Sequence, residues 1–127
     1  TAMISHVDVA YLHVARLFET ARWYREVLGL ALGDGEGTWQ EGVLPVGIRS
    51  RFALDAPGDS PPASERQAAM ISLGVGDINA EVGRLGAAGV EFRRMADGFV
   101  MDVGLTWVAT FRDPEGNWLQ LSQRKPQ

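Results

Sequence analysis

The side chains with the most chemistry to offer are a histidine, a tyrosine and a set of tryptophans. His13 lies two residues beyond Tyr11 and four beyond Val9, so in an extended strand the three share a face. Imidazole is the side chain whose ordinary pKa lies nearest neutrality, so His13, with Tyr11 beside it, could act as an acid–base group. The sequence offers His13 no evident carboxylate partner. Hydrogen bonding at a pocket edge and an inert surface position both stand open for it. His6 is three residues from Val9 and falls on the opposite face, where an exposed terminal histidine is expected. Asp113 and Glu115 form a carboxylate pair, but Pro114 and Gly116 put both in a tight turn, a structural setting. Trp23 is expected to pack on a helix. Trp39, Trp107 and Trp118 fall on predicted strands, where an indole could stack on a flat or cationic ligand; core packing is the competing role for each.

Other chemistries are missing from the sequence. There is no Gly-Xaa-Ser-Xaa-Gly elbow, P-loop or dinucleotide fingerprint. Gly33, Gly35 and Gly37 form a turn-type cluster without the helix that phosphate binding needs. With no cysteine there is neither a disulfide framework nor a thiolate nucleophile, which is compatible with a reducing cytoplasm, the expected location. A net charge of −4 argues against nucleic acid as a partner and is mildly compatible with cationic ligands. No apolar run approaches the ~18 residues that span a membrane, and no signal pattern opens the chain, so no membrane partner is expected. Met3 would make a natural start, with Thr1 and Ala2 as leading remnants. A length of 127 residues fits one domain, 1–127.

The elements that must position these residues come in two runs. A strand over residues 7–15 precedes a helix over 17–28, with apolar Leu17, Ala21, Tyr24 and Leu28 spaced by 4, 3 and 4, and Gly29 as its C′ residue. Strands near 38–43 and 48–56 follow. A proline-rich polar linker, about 57–66, then separates repeat one (about 4–57) from repeat two (about 67–124). In the second run a strand over 69–75 leads to Asp77, a plausible N-cap, and a helix carrying Ile78, Val82 and Leu85 up to Gly89. Subtracting 61 from 78, 82, 85 and 89 gives 17, 21, 24 and 28, the apolar positions of the first helix. Strands near 90–94, 98–103, 106–111 and 118–123 complete the second run. The fold class is therefore α+β, with two β-α-β-β-β repeats of about 60 residues.

Two stretches give this pattern a family likeness. Ala21-Arg22-Trp23-Tyr24-Arg25-Glu26-Val27-Leu28-Gly29-Leu30 and the closing hairpin Phe111-Arg112-Asp113-Pro114-Glu115-Gly116-Asn117-Trp118-Leu119-Gln120-Leu121, joined by the internal repeat, resemble the glyoxalase/bleomycin-resistance/dioxygenase (vicinal oxygen chelate) superfamily. The resemblance covers nearly the whole chain. It implies a mixed sheet curled around a concave pocket, with the helices outside.

The resemblance also implies where a divalent ion would sit, on His and Glu side chains, two from each repeat. Carried over one at a time, the first histidine position falls on Val9 and the second on Met70. The glutamate of the closing strand falls on Gln120, and its partner on Ala53, with a possible slip of one residue. Valine and alanine cannot ligate, a thioether is a poor donor to hard cations, and an amide is weak, so neither a metal nor another cofactor is expected.

The strand faces sort in the same direction. Leu12, Val14, Phe52, Leu54, Ile71, Leu73, Val75, Leu119 and Leu121 are expected beneath the helices, and the opposite faces are chemically mixed. A mixed face of this kind suits a ligand cavity lined by Tyr11, His13, Trp39, Arg51, Met70, Trp107, Trp118 and Gln120. Two functions follow as expectations. One is a metal-independent binding protein resembling bleomycin-resistance proteins, a homodimer that sequesters an aromatic or amphipathic small molecule. The other is an enzyme of the superfamily, of glyoxalase, lyase or dioxygenase type, with a non-standard site.

Overall fold

The computed structural model of the chain describes residues 9–33, 39–43, 51–56 and 69–126. His6, Gly35, Gly37 and the expected 57–66 linker lie outside the described residues, as do the outer ends of the strands expected at 7–15 and 48–56. The chain divides into two compact units, Thr1–Pro61 and Pro62–Gln127, each described by itself.

The first unit contains β1 (Val9–His13), α1 (Leu17–Glu26), β2 (Trp39–Val43) and β3 (Arg51–Asp55). Its sheet runs β1-β3-β2, with β1 parallel and β2 antiparallel to β3. A parallel pair needs a crossover, and α1 lies on it. The buried stripe of α1 is Leu17, Thr20, Ala21 and Tyr24, and the Tyr24 ring lies 5.3 Å from that of Phe52 on β3. The helix stops at Glu26, short of the expected 28, with Val27 as its C-cap, so Gly29, at φ +76°, lies one residue beyond the C′ position expected for it. Beyond it, the Leu30 N–H donates to the Tyr24 carbonyl at 3.1 Å.

Two contacts anchor β2 to the helix side. Gln40 is buried, and its Oε1 accepts from Arg25 Nη1 at 3.0 Å, so a buried amide has its partner. Gly42 allows the backbone at Ala31 to come close: a Cβ at this position would collide with the Ala31 carbonyl oxygen and lie 2.8 Å from its carbon.

The second unit contains β4 (Ile71–Gly74), α2 (Ile78–Ala87), β5 (Met101–Asp102), β6 (Thr106–Arg112) and β7 (Trp118–Arg124), in the sheet order β4-β7-β6-β5. Asp77 is the N-cap of α2, its Oδ1 accepting from the Ala80 N–H at 3.1 Å. The helix ends in a Schellman motif: Val90 N–H to the Leu85 carbonyl at 3.0 Å, Gly89 N–H to that of Gly86 at 3.1 Å, and Gly89 at φ +97°. The helices Leu17–Glu26 and Ile78–Ala87 are offset by 61 at both ends, 78 − 17 and 87 − 26, and the order β4-β7-β6 repeats β1-β3-β2.

The strands expected at 90–94 and 98–103 need correction. The first is only a bridge, Phe92 to Phe111, supported by the Arg93 N–H donating to the Thr110 carbonyl at 2.7 Å. The second contracts to Met101–Asp102, and Met95 and Gly98 close a reverse turn just before it. Met70, expected inside a strand, precedes β4 and is exposed.

The closing hairpin is held by its turn. Asp113 is buried; its Oδ1 accepts from the N–H groups of Glu115 and Asn117, and its Oδ2 from Asn117 Nδ2, all at 2.9 Å. Gly116, at φ +84°, supplies the left-handed residue. Leu119 and Leu121 on β7 and Ala109 and Phe111 on β6 form the buried face of this sheet with Ile78 and Leu85 of α2. Among the described residues no helix is long and apolar enough to cross a membrane.

Candidate functional site

In the first unit, Phe52 under Tyr24 and Gln40 on Arg25 fix which side of the sheet meets α1. Alternation then places Val9, His13, Glu41, Arg51, Ala53 and Asp55 on the other side. Charges pair across this face. His13 Nε2 lies 3.9 Å from Asp55 Oδ2, and Arg51 Nη1 lies 3.8 Å from Glu41 Oε2. At such distances and exposures each pair contributes about 0–1 kcal/mol, so they set polarity more than stability. Asp55 is therefore the carboxylate neighbour that the sequence did not reveal for His13. The two meet because β1 and β3 are parallel with His13 opposite Asp55, a register formed between strands far apart in the chain. Tyr11 is in backbone register with Ala53, and Trp39 with Asp55.

In the second unit the face away from α2 carries Trp118, Gln120 and Ser122 of β7. Ser72 and Thr110 lie in register on either side of Gln120. Arg112 is directly across from Trp118, and its guanidinium carbon sits 4.0 Å from the indole centroid. A cation thus already stacks on this indole, with an aromatic, an amide and hydroxyls along the same strip. Met70 is exposed just before β4, at the Trp118 end of the strip.

Trp107 points the other way. It pairs with Gln123 and Asp102, on the sheet face that α2 covers. There it lines a cleft of about 600 Å³ with Gly76, Asp77, Asn79, Asp97, Val100, Asp102 and Gln123. Trp107 and Trp118 come from neighbouring strands but belong to different surfaces. Lys125 reaches the Trp107 side, its Nζ 2.7 Å from Asp102 Oδ1 and 5.2 Å from the Trp107 ring centroid. The Lys125 side chain, and after it the Gly104 N–H, hold the Asp102 carboxyl below the usual carboxylate range.

The profile of the Glyoxalase/Bleomycin resistance protein/Dioxygenase superfamily matches residues 4–121. The chain belongs to that superfamily. Comparison with curated proteins produced no match. Among solved structures, this superfamily member is similar to TnmS3, an antibiotic binding protein from Streptomyces sp. CB03234, with a TM-score of 0.77 and 25% identity over 98% of this chain and 100% of that one. It is also similar to a superfamily member from Sphaerobacter thermophilus DSM 20745 (TM-score 0.68, 24% identity, 97% and 100% covered). A third is lactoylglutathione lyase from Agrobacterium tumefaciens (TM-score 0.65, 18% identity, 94% and 94% covered). The last two likenesses are of fold.

The superfamily's metal does not fit the residues present. Ala53 is a fully buried methyl group, and a slip of one residue reaches only Phe52 or Leu54, which carry no donor. Val9 has none either, Met70 offers a thioether, and Gln120 offers a neutral amide flanked by Ser72 and Thr110. Among the described residues no three His, Asp or Glu side chains converge on a point.

Proposed function

We propose that the chain is a metal-independent small-molecule binding protein of the bleomycin-resistance type, sequestering an aromatic or amphipathic ligand. The observation that carries this reading is the likeness to the antibiotic-binding TnmS3 over nearly the full length of both chains. The donor-poor set Val9, Ala53, Met70 and Gln120 supports it, since sequestration needs shape and stacking but no reactive centre. Trp118 and Gln120 in one unit, with Tyr11, His13, Trp39 and Arg51 in the other, are the residues proposed to meet ligand; Met70 joins them at the strip's end. The two repeats act as one domain over 1–127, the protein works as a homodimer, and its place is the cytoplasm. A thermal-shift screen against peptide antibiotics and aromatic metabolites tests the reading. Ligand at a hundredfold over Kd adds about 2.7 kcal/mol and raises Tm by roughly 5–15 °C. A panel that leaves Tm unmoved would sink the proposal, as would stoichiometric Zn, Ni, Mn or Fe in protein purified without chelator.

One observation favours a second reading, an enzyme of the superfamily with a non-standard site. Asp55 beside His13 could orient the imidazole for proton transfer. Under that reading His13→Gln abolishes turnover while leaving ligand-induced stabilisation in place. Under the binding reading there is no turnover to lose.

A further inference from the structure

We infer that the Trp118 strip selects organic acids, with Arg112 and Arg93 binding the anionic group of an aromatic ligand beside the indole. The inference rests on the reading of this strip as ligand-binding surface, and it adds the charge that the ligand must carry.

The strip has a further edge. On the side of β6 away from β7, Phe92 bridges Phe111 in antiparallel sense, and their rings lie 5.4 Å apart. The next residue, Arg93, donates its N–H to the Thr110 carbonyl at 2.7 Å and so falls in register with Thr110. Phe92 shares the buried side of Phe111, so alternation turns Arg93 to the face away from α2. That face also carries Thr110, Arg112, Trp118 and Gln120. Arg93 and Arg112 are both exposed there, with the Thr110 hydroxyl beside them.

These two arginines differ from the cations that are paired elsewhere. Arg16, Arg51, Arg84 and Lys125 each have a carboxylate oxygen within 3.8 Å. Among the described residues no acid pairs with Arg93 or Arg112, and Glu91, opposite Arg112 in the same register, makes no ion pair with it. Arg112 instead sits over Trp118, its guanidinium carbon 4.0 Å from the ring centroid. A guanidinium over a ring uses its π face, while its N–H donors, which lie in its plane, remain for a carboxylate. The same contact opposes a cationic ligand, because a positive charge already covers the indole and Arg93 stands nearby. A net charge of −4 steers no anion toward the chain from a distance, so the selection is made at contact. Trp118 and the exposed Met70 supply the apolar end for the ligand's body.

The test is a titration of the full chain with 2-naphthoate, read from the Trp118 indole N–H signal in two-dimensional NMR. The neutral 2-naphthamide and the cationic 2-naphthylmethylammonium chloride are compared at equal ionic strength. The expected result is saturable binding, with the acid preferred over the amide and the amide over the ammonium. Arg112→Gln and Arg93→Gln should each cut the acid-to-amide preference about fivefold, the upper range for an exposed ion pair. Arg124→Gln should leave that preference intact, because Arg124 lies at the far end of β7, roughly 20 Å from Trp118. Amide or ammonium binding as tightly as the acid would overturn the inference and leave the wider binding reading standing. So would a preference for acid that survives both Arg112→Gln and Arg93→Gln, or one that Arg124→Gln reduces equally. If none of the three compounds moves the Trp118 signal, the inference fails, and the thermal-shift panel separately decides the wider reading.

Discussion

Replacing Asp113 by alanine removes a buried carboxylate that accepts three hydrogen bonds at 2.9 Å within one turn. Hydrogen bonds to a charged group contribute about 1.5–3 kcal/mol each, but removal of the carboxylate also removes its own burial penalty. What remains is the loss felt by the stranded donors. Asn117 is 2% exposed, so its side-chain amide and backbone N–H lose an acceptor where water has little access. At about 1–3 kcal/mol per buried unsatisfied group, Asp113→Ala should destabilise by about 3–5 kcal/mol. Asp113→Asn is the control. It retains an oxygen for the two backbone donors but turns an NH₂ toward Asn117 Nδ2, so about 1–3 kcal/mol is expected. Urea denaturation followed by tryptophan fluorescence reads both. With an m-value of about 1.5–2 kcal/mol/M, the alanine variant shifts the midpoint by about 2 M and the asparagine variant by about 1 M. An alanine variant within 1 kcal/mol of native, or an asparagine variant equally damaged, would refute the claim that the carboxylate holds the turn.

Three other outcomes are expected. Gly42→Ala should destabilise by about 3 kcal/mol, because its Cβ meets backbone atoms of Ala31 rather than a movable side chain; calorimetric Tm reads this. Arg25→Ala should lose about 1–3 kcal/mol by orphaning the Gln40 amide oxygen, and Arg25→Ala combined with Gln40→Leu should recover part of the loss in a double-mutant cycle. The Asp102 carboxyl is held below its ordinary value chiefly by Lys125, so its favourable contribution is present at neutral pH and fades as pH falls through that lowered value. In Lys125→Met the Asp102 carboxyl carbon should titrate at higher pH by NMR, back toward the usual carboxylate range.

What could be read from sequence was mostly local. The spacing of Leu17, Ala21 and Tyr24, the cap at Asp77 and the glycines at 29 and 89 are short-range signals, and the helices lie where those signals put them. Asp113 and Pro114 likewise announced the turn. Residues 90–103 misled because Val90 and Phe92 alternate and Phe99, Val100 and Val103 are strand formers, whereas the chain spends Met95 to Gly98 on a reversal. The site was harder to read, because it depends on pairing between distant strands. His13 meets Asp55 only once β1 and β3 are set in parallel. Trp107 and Trp118 part company because the β6–β7 register puts position 107 opposite 123 and position 118 opposite 112. Membership of a strand was legible for both tryptophans, but the face each occupies was not.

The Asp113–Asn117 turn has a kinetic corollary. It links β6 and β7 through residues 113–117 alone, whereas β4 reaches β7 only after the chain has passed through α2 and two further strands. Loop-closure entropy favours the nearer partners, so the hairpin is the natural nucleus and β4 docks onto it late. Mutations at Asp113 should then mainly slow refolding, while mutations at Leu73 should mainly hasten unfolding.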